Sequence, residues 1–192
     1  MSPLRTDRRI TMNDRKVFRV AFCGVMAGLM AAVMLLGTLI PLSTYICPML
    51  AGALAIPVIW ELGAGSGWLL YAAVSALSLI LAPDKEAALL YVLLLGWYPV
   101  LRPKLMHITK RPLRIAVKLI LFNAAVCAVY ILLLFVFVSP DLKTEDWTGP
   151  MLAGMLALGN LTFLIYDLLL ARLTDRYVMQ LRPKLFSHPH TH

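Results

Sequence analysis

The side chains in this chain that could do chemistry are few, and they lie inside or beside apolar runs. Tyr45, Glu86, Tyr91, Tyr130, Trp147 and Asn160 offer hydroxyl, carboxylate, indole and amide groups. A small-molecule pocket uses a few such groups among apolar walls to orient a ligand. Ser43 and Thr44 beside Tyr45 add hydroxyls in the same short stretch. Each candidate also has a structural reading. Tyr45 and Trp147 suit the aromatic belt of a membrane interface. Glu86 suits the start of a helix, where a carboxylate meets free backbone N–H groups. Asn160 can satisfy Asn123 by a hydrogen bond between two apolar segments. In "LIYDLLLARLTDRY", Asp167 needs a cation, and Lys118 enters a neighbouring segment from the same side. That pair would reduce the cost of carrying either charge into an apolar medium. Arg172, five residues from Asp167, is awkwardly placed on a helix. A proton or ion relay through Asp167, Lys118 and Glu61 is the functional alternative to structural pairing.

Catalytic spacing is missing. The chain has no HExxH, CxxC or GxSxG, and no glycine-rich phosphate loop followed by Lys and Ser or Thr. "GAGSG" at 63–67 lacks the lysine after it and reads as a tight helix connector. The tail "HPHTH" has alternating histidines but nothing to orient them as metal ligands. Cys23, Cys47 and Cys127 show no paired spacing for a disulfide or a metal. The expectation is therefore a chain with no catalytic residues, no metal site and no cofactor.

The elements that must position these groups follow from composition. With 60% hydrophobic and 15% charged residues among 192, the chain cannot cover itself with a polar surface. It is expected in a bilayer, with the net charge of +8 spread between apolar runs rather than on a nucleic-acid-binding face. Six apolar stretches run over 20–40, 45–62, 63–82, 87–101, 115–138 and 151–171, most of them near the ~20 residues a crossing helix needs. The third is short if it begins at Trp68, and the fourth contains Gly96 and Pro99, so either could be tilted, broken or re-entrant. The connector "APDKEA" between them favours full crossings, since each charge left in hydrocarbon costs about 2.5–3.5 kcal/mol.

Six crossings place sixteen of the eighteen Lys and Arg residues on one side, leaving Lys85 and Lys143 on the other. Both termini are then expected in the cytoplasm. The expected fold is all-α, a six-helix transmembrane bundle over 20–171 between basic tails at 1–19 and 172–192. The pentapeptide LRPKL, at 101–105 and again at 181–185, follows the fourth and sixth stretches on the basic side. It reads as a helix stop with a headgroup anchor, or as a partner-docking element. The N-terminal run is too long for a signal-peptide core and is kept as a first helix.

Small residues gather on that helix, with Gly24 and Gly28, and Ala27 and Ala31, at four-residue spacing. Such stripes let a second helix approach closely, from the same chain or from another. Ala72 and Ala76 repeat the spacing in the third stretch. With six crossings, this length, and AxxxA in the first and third helices, the chain from Arg15 to about Arg176 resembles the substrate-binding S component of energy-coupling factor transporters. The resemblance implies that Ala27, Ala31, Ala72 and Ala76 dock on a transmembrane coupling subunit driven by a pair of cytoplasmic ATPases. It also implies a vitamin-like solute or metal ion held in the outer half by helices four to six and the first external loop. No ligand-specific signature accompanies it, which leaves the solute unnamed. The expected role is thus the solute-capturing subunit of an uptake system in a bacterial plasma membrane. The alternative is a helical membrane module that assembles other proteins without moving a solute.

Overall fold

The structure, a computed structural model, describes residues 7–37, 43–135 and 149–181. These residues are helical throughout their ordered elements, with no strand among them. The order is α1 (Asp7–Leu36), α2 (Ser43–Leu54), α3 (Ile56–Leu62), α4 (Ala64–Leu81), α5 (Lys85–Leu90), a π-helical turn Tyr91–Leu95, α6 (Tyr98–Leu105), α7 (Arg111–Phe135), and α8 (Gly149–Arg176) continuing into a π-helical turn Tyr177–Leu181. Trp147, the acidic connector around it and most of the second LRPKL lie outside the described residues.

Five helical stretches are long and apolar enough to cross a membrane: Lys16–Leu36, Thr44–Leu62, Ala64–Leu81, Arg111–Leu133 and Gly149–Gln180. The third expected segment is the unbroken α4. The second is divided at Ala55, because Pro57 opens α3 with no N–H to return to the carbonyl of Ala53. Gly63, at φ +85, turns the chain from α3 into α4, a backbone geometry that a side chain would strain.

The fourth segment is the interrupted one. A π-helical turn spans Tyr91–Leu95, and Gly96 N–H donates to the Tyr91 carbonyl at 2.7 Å, closing a five-residue step. Such a step leaves carbonyls in need of donors. The Tyr71 hydroxyl donates to Val92 O at 2.7 Å and the Trp97 indole N–H to Leu93 O at 2.8 Å. Pro99, with no N–H, cannot bond Leu95 O either, and Gly52 brings α2 against that carbonyl. Irregular backbone needs protein around it where water is absent, and this segment is the most enclosed in the bundle: Ala87–Tyr91, Leu94–Gly96 and Tyr98–Val100 are all buried.

Around it sit two connected cores. Met30, Met34, Ala51, Val58, Leu70, Val74 and Tyr91 close one between α1, α2–α3 and α4. Leu94, Tyr98, Val129, Leu133, Phe163 and Tyr166 close the other with α7 and α8. Tyr98 meets Phe163 edge to face at 5.0 Å between centroids, and Phe163 stacks on Phe122 at 4.9 Å, both favourable aromatic geometries. Outward faces are apolar: Leu69 and Ile80 on α4, Ile120 on α7 and Leu158 on α8 are each at least 66% exposed. An outside this greasy is consistent with a membrane protein.

Candidate functional site

Polar groups collect at the two ends of the bundle. At the end away from the basic connector, Thr44 and Tyr45 open α2, while Asp84 precedes α5 and Glu86 lies in its first turn. The Thr44 hydroxyl donates to Asp84 Oδ2 at 2.7 Å, and Asp84 Oδ1 accepts the Ala87 N–H at 3.1 Å. The helix cap is thus Asp84, not Glu86. Glu86 is released from capping, and its Oε1 accepts the Tyr45 hydroxyl at 2.9 Å. Tyr130 of α7 hydrogen-bonds the Tyr45 hydroxyl and lies within electrostatic reach of Glu86.

Three expected ligand residues therefore converge from three helices. Lys85, between the two carboxylates in sequence, turns away and donates to the carbonyls of Leu79 and Ala82, both at 3.0 Å. A cation suits the free carbonyls ending α4. Among the described residues neither Asp84 nor Glu86 forms an ion pair. Glu86 precedes the apolar run, and burial raises its carboxyl above the ordinary carboxylate pKa, against the opposing hydrogen bond from Tyr45. The cluster can accept hydrogen bonds from a polar or cationic ligand through Glu86 and offer phenol groups to it.

The remaining expected ligand residues lie elsewhere. Tyr91 is fully buried in the π-helical turn, and its hydroxyl has no hydrogen-bond partner among the described residues, as is also true of Tyr166. Asn160 is engaged by Asn123 in a reciprocal pair at 3.0 and 3.1 Å, and its amide also donates to Leu156 O at 2.7 Å. That is the structural reading of both asparagines. Of the expected docking alanines, Ala27 and Ala31 are half-buried, Ala27 against the first core and Ala31 in the crevice between α1 and α4. Ala72 and Ala76 are exposed on α4, as are Gly24 and Gly28 on α1.

At the opposite end Asp167 is the centre of a buried charge cluster. Lys118 Nζ donates to Asp167 Oδ2 at 2.5 Å, while Tyr98 Oη and Arg102 Nε donate to Oδ1 at 2.6 and 3.0 Å. The Lys118 partner is legible in sequence; Tyr98 and Arg102 are not anticipated there. Their signal is spacing: four residues apart on α6, they present one face to α8. The sequence reads Arg102 as a boundary anchor; in the structure it faces inward, because Asp167 is there to receive it. Nearby, Tyr177 donates to Glu61 at 3.2 Å, and Arg19 reaches Leu62 O and the Ser66 hydroxyl, both at 3.4 Å. These contacts gather the basic residues of α1, α6 and α7 at one end. A cavity of about 310 Å³ opens beside the cluster, between α3, α6 and α8. Among the described residues no three His, Cys, Asp or Glu side chains are grouped to hold a metal. Comparison with family models, curated proteins and solved structures gives no match to the chain.

Proposed function

We propose that the chain is a six-crossing membrane protein with its basic end in the cytoplasm, and that it captures a small polar solute on the opposite face. The observation that carries this reading is the convergence of Tyr45, Glu86 and Tyr130 from α2, α5 and α7. A carboxylate without a cationic partner, flanked by two phenols at a bundle end, is suited to hold a hydrogen-bond donor or a cation. Capture without hydrolysis fits a subunit whose transport is driven by other chains, as the likeness to S components of energy-coupling factor transporters implies. In that reading, docking on a coupling subunit uses the exposed Ala72 and Ala76 of α4 together with the small-residue face of α1.

A thermal-shift screen of the detergent-purified protein against vitamins, their precursors and divalent metals tests capture. A ligand specific for the folded state adds about 2.7 kcal/mol at a hundredfold excess over Kd, so one compound should raise Tm clearly and Glu86→Gln should abolish that rise. No shift across the panel would favour an assembly module. Copurifying helical partners lost in Ala76→Trp would then identify its surface.

A further inference from the structure

The cavity at the basic end has walls of two characters. Ile56, Ile59, Trp60 and Leu170 make an apolar side, while Arg102 and Asp175 place opposite charges on the same cavity. Arg102 is held in place by Asp167, which takes only its Nε. The two Nη groups of Arg102 make no hydrogen bond among the described residues, and a guanidinium fixed in this way presents a fork suited to phosphate oxygens. Lys118 already supplies Asp167 with one cation, so Arg102 is the surplus charge of the cluster. Asp175 likewise has no hydrogen bond or ion pair among the described residues. Thr174, on the same wall, spends its hydroxyl on Leu170 O at 2.7 Å.

We propose that this cavity is a headgroup site for a phospholipid carrying a primary ammonium, with the phosphodiester on Arg102 and the ammonium on Asp175. The opposite charges on its walls match a zwitterion better than a simple anion, which Asp175 would repel. The apolar wall accepts the methylenes that follow the phosphate, and Trp60, 45% exposed, sits as an interfacial ring. Lys104, Lys110 and Arg111 are exposed at this end and draw it towards an anionic surface. The site lies at the opposite end from the Tyr45–Glu86–Tyr130 cluster and is independent of solute capture, but it rests on this end lying at a membrane surface.

The test is native mass spectrometry of the detergent-purified chain with phosphatidylethanolamine, phosphatidylcholine and phosphatidylglycerol, alongside soluble glycerophosphoethanolamine. Phosphatidylethanolamine should be retained preferentially, since the N-methylated headgroup has no N–H for Asp175 and the glycerol headgroup has no cation. Asp175→Asn should erase that preference, and Arg102→Gln should weaken binding about tenfold or more, the loss of one charge-assisted hydrogen bond. Asp175→Asn leaves the Asp167 cluster intact, so it carries the test if Arg102→Gln does not fold. Equal retention of the three lipids would overturn the proposal, and so would equal binding of glycerophosphoethanolamine, which would mark a soluble ligand. Retention in membranes after an alkaline wash is measured separately. A chain that washes off overturns the membrane reading, whereas a retained chain without headgroup preference overturns the lipid site alone.

Discussion

Asp167 shows how a buried carboxylate recruits partners. A charge in an apolar medium is tolerated only when paired and hydrogen-bonded, and here one carboxylate has Lys118, Arg102 and Tyr98 around it. Its Lys118 partner is legible in sequence because both residues lie about one turn inside the same boundary. Tyr98 and Arg102 are not, because the break in the fourth segment hides which of its residues share a face. Lys118 has a side chain only 5% exposed, so truncating it leaves the cluster short of a charge it was built around. Lys118→Met should lower stability by about 3 kcal/mol or more, read as a fall in the detergent unfolding midpoint. Lys118→Met combined with Asp167→Asn should lose less than the two single changes added together. Strict additivity would show that the residues do not act as a pair. At the other end, Tyr45, Glu86 and Tyr130 are recognisable as residue types. Their meeting is not, since 41 residues separate Tyr45 from Glu86.

Among the elements, the interrupted fourth segment decides the packing. Gly96 and Pro99 mark it in sequence as a place where a helix fails, yet a broken helix at the periphery and one at the centre read alike. The structure puts it at the centre, where Tyr71 and Trp97 take up the carbonyls of the π-helical turn. Gly52 is the companion of that break. A Cβ at this position would collide with the carbonyl oxygen of Leu95 and the hydroxyl of Tyr166, one of which is backbone and cannot rotate aside. Gly52→Ala should therefore destabilise by about 1–3 kcal/mol, as overpacking does. Gly28→Ala, where an added Cβ meets nothing within 4 Å, should stay within about 0.5 kcal/mol. Paired unfolding midpoints in one detergent check both, and equal effects would show that α2 does not depend on the close approach. The first LRPKL also reads differently in the fold. Pro103 does not stop α6, which continues to Leu105, and the pentapeptide supplies Arg102 to the interior as well as Lys104 to the surface.

For the whole molecule, the separation of charge is the property from which orientation is argued. Arg19 beside the α3–α4 turn, Arg102 beside Asp167 and Tyr177 beside Glu61 bring the basic end together, while Lys85 caps α4 at the other. The proposed orientation, basic end inside, requires that a tag after residue 192 be inaccessible to impermeant reagents in intact cells and become accessible once they are lysed. Labelling of intact cells would reverse the orientation. Amino-acid order alone was enough for the all-helical character and for the five long apolar helices, because these depend on local composition. Tertiary structure alone decided which faces meet: that Ala27 and Ala31 pack inward while Ala72 and Ala76 stay outside, and that three polar side chains from three helices share one end. A helix's sequence states how greasy each face is. In a chain apolar on nearly every face, it does not state which face a neighbour will cover.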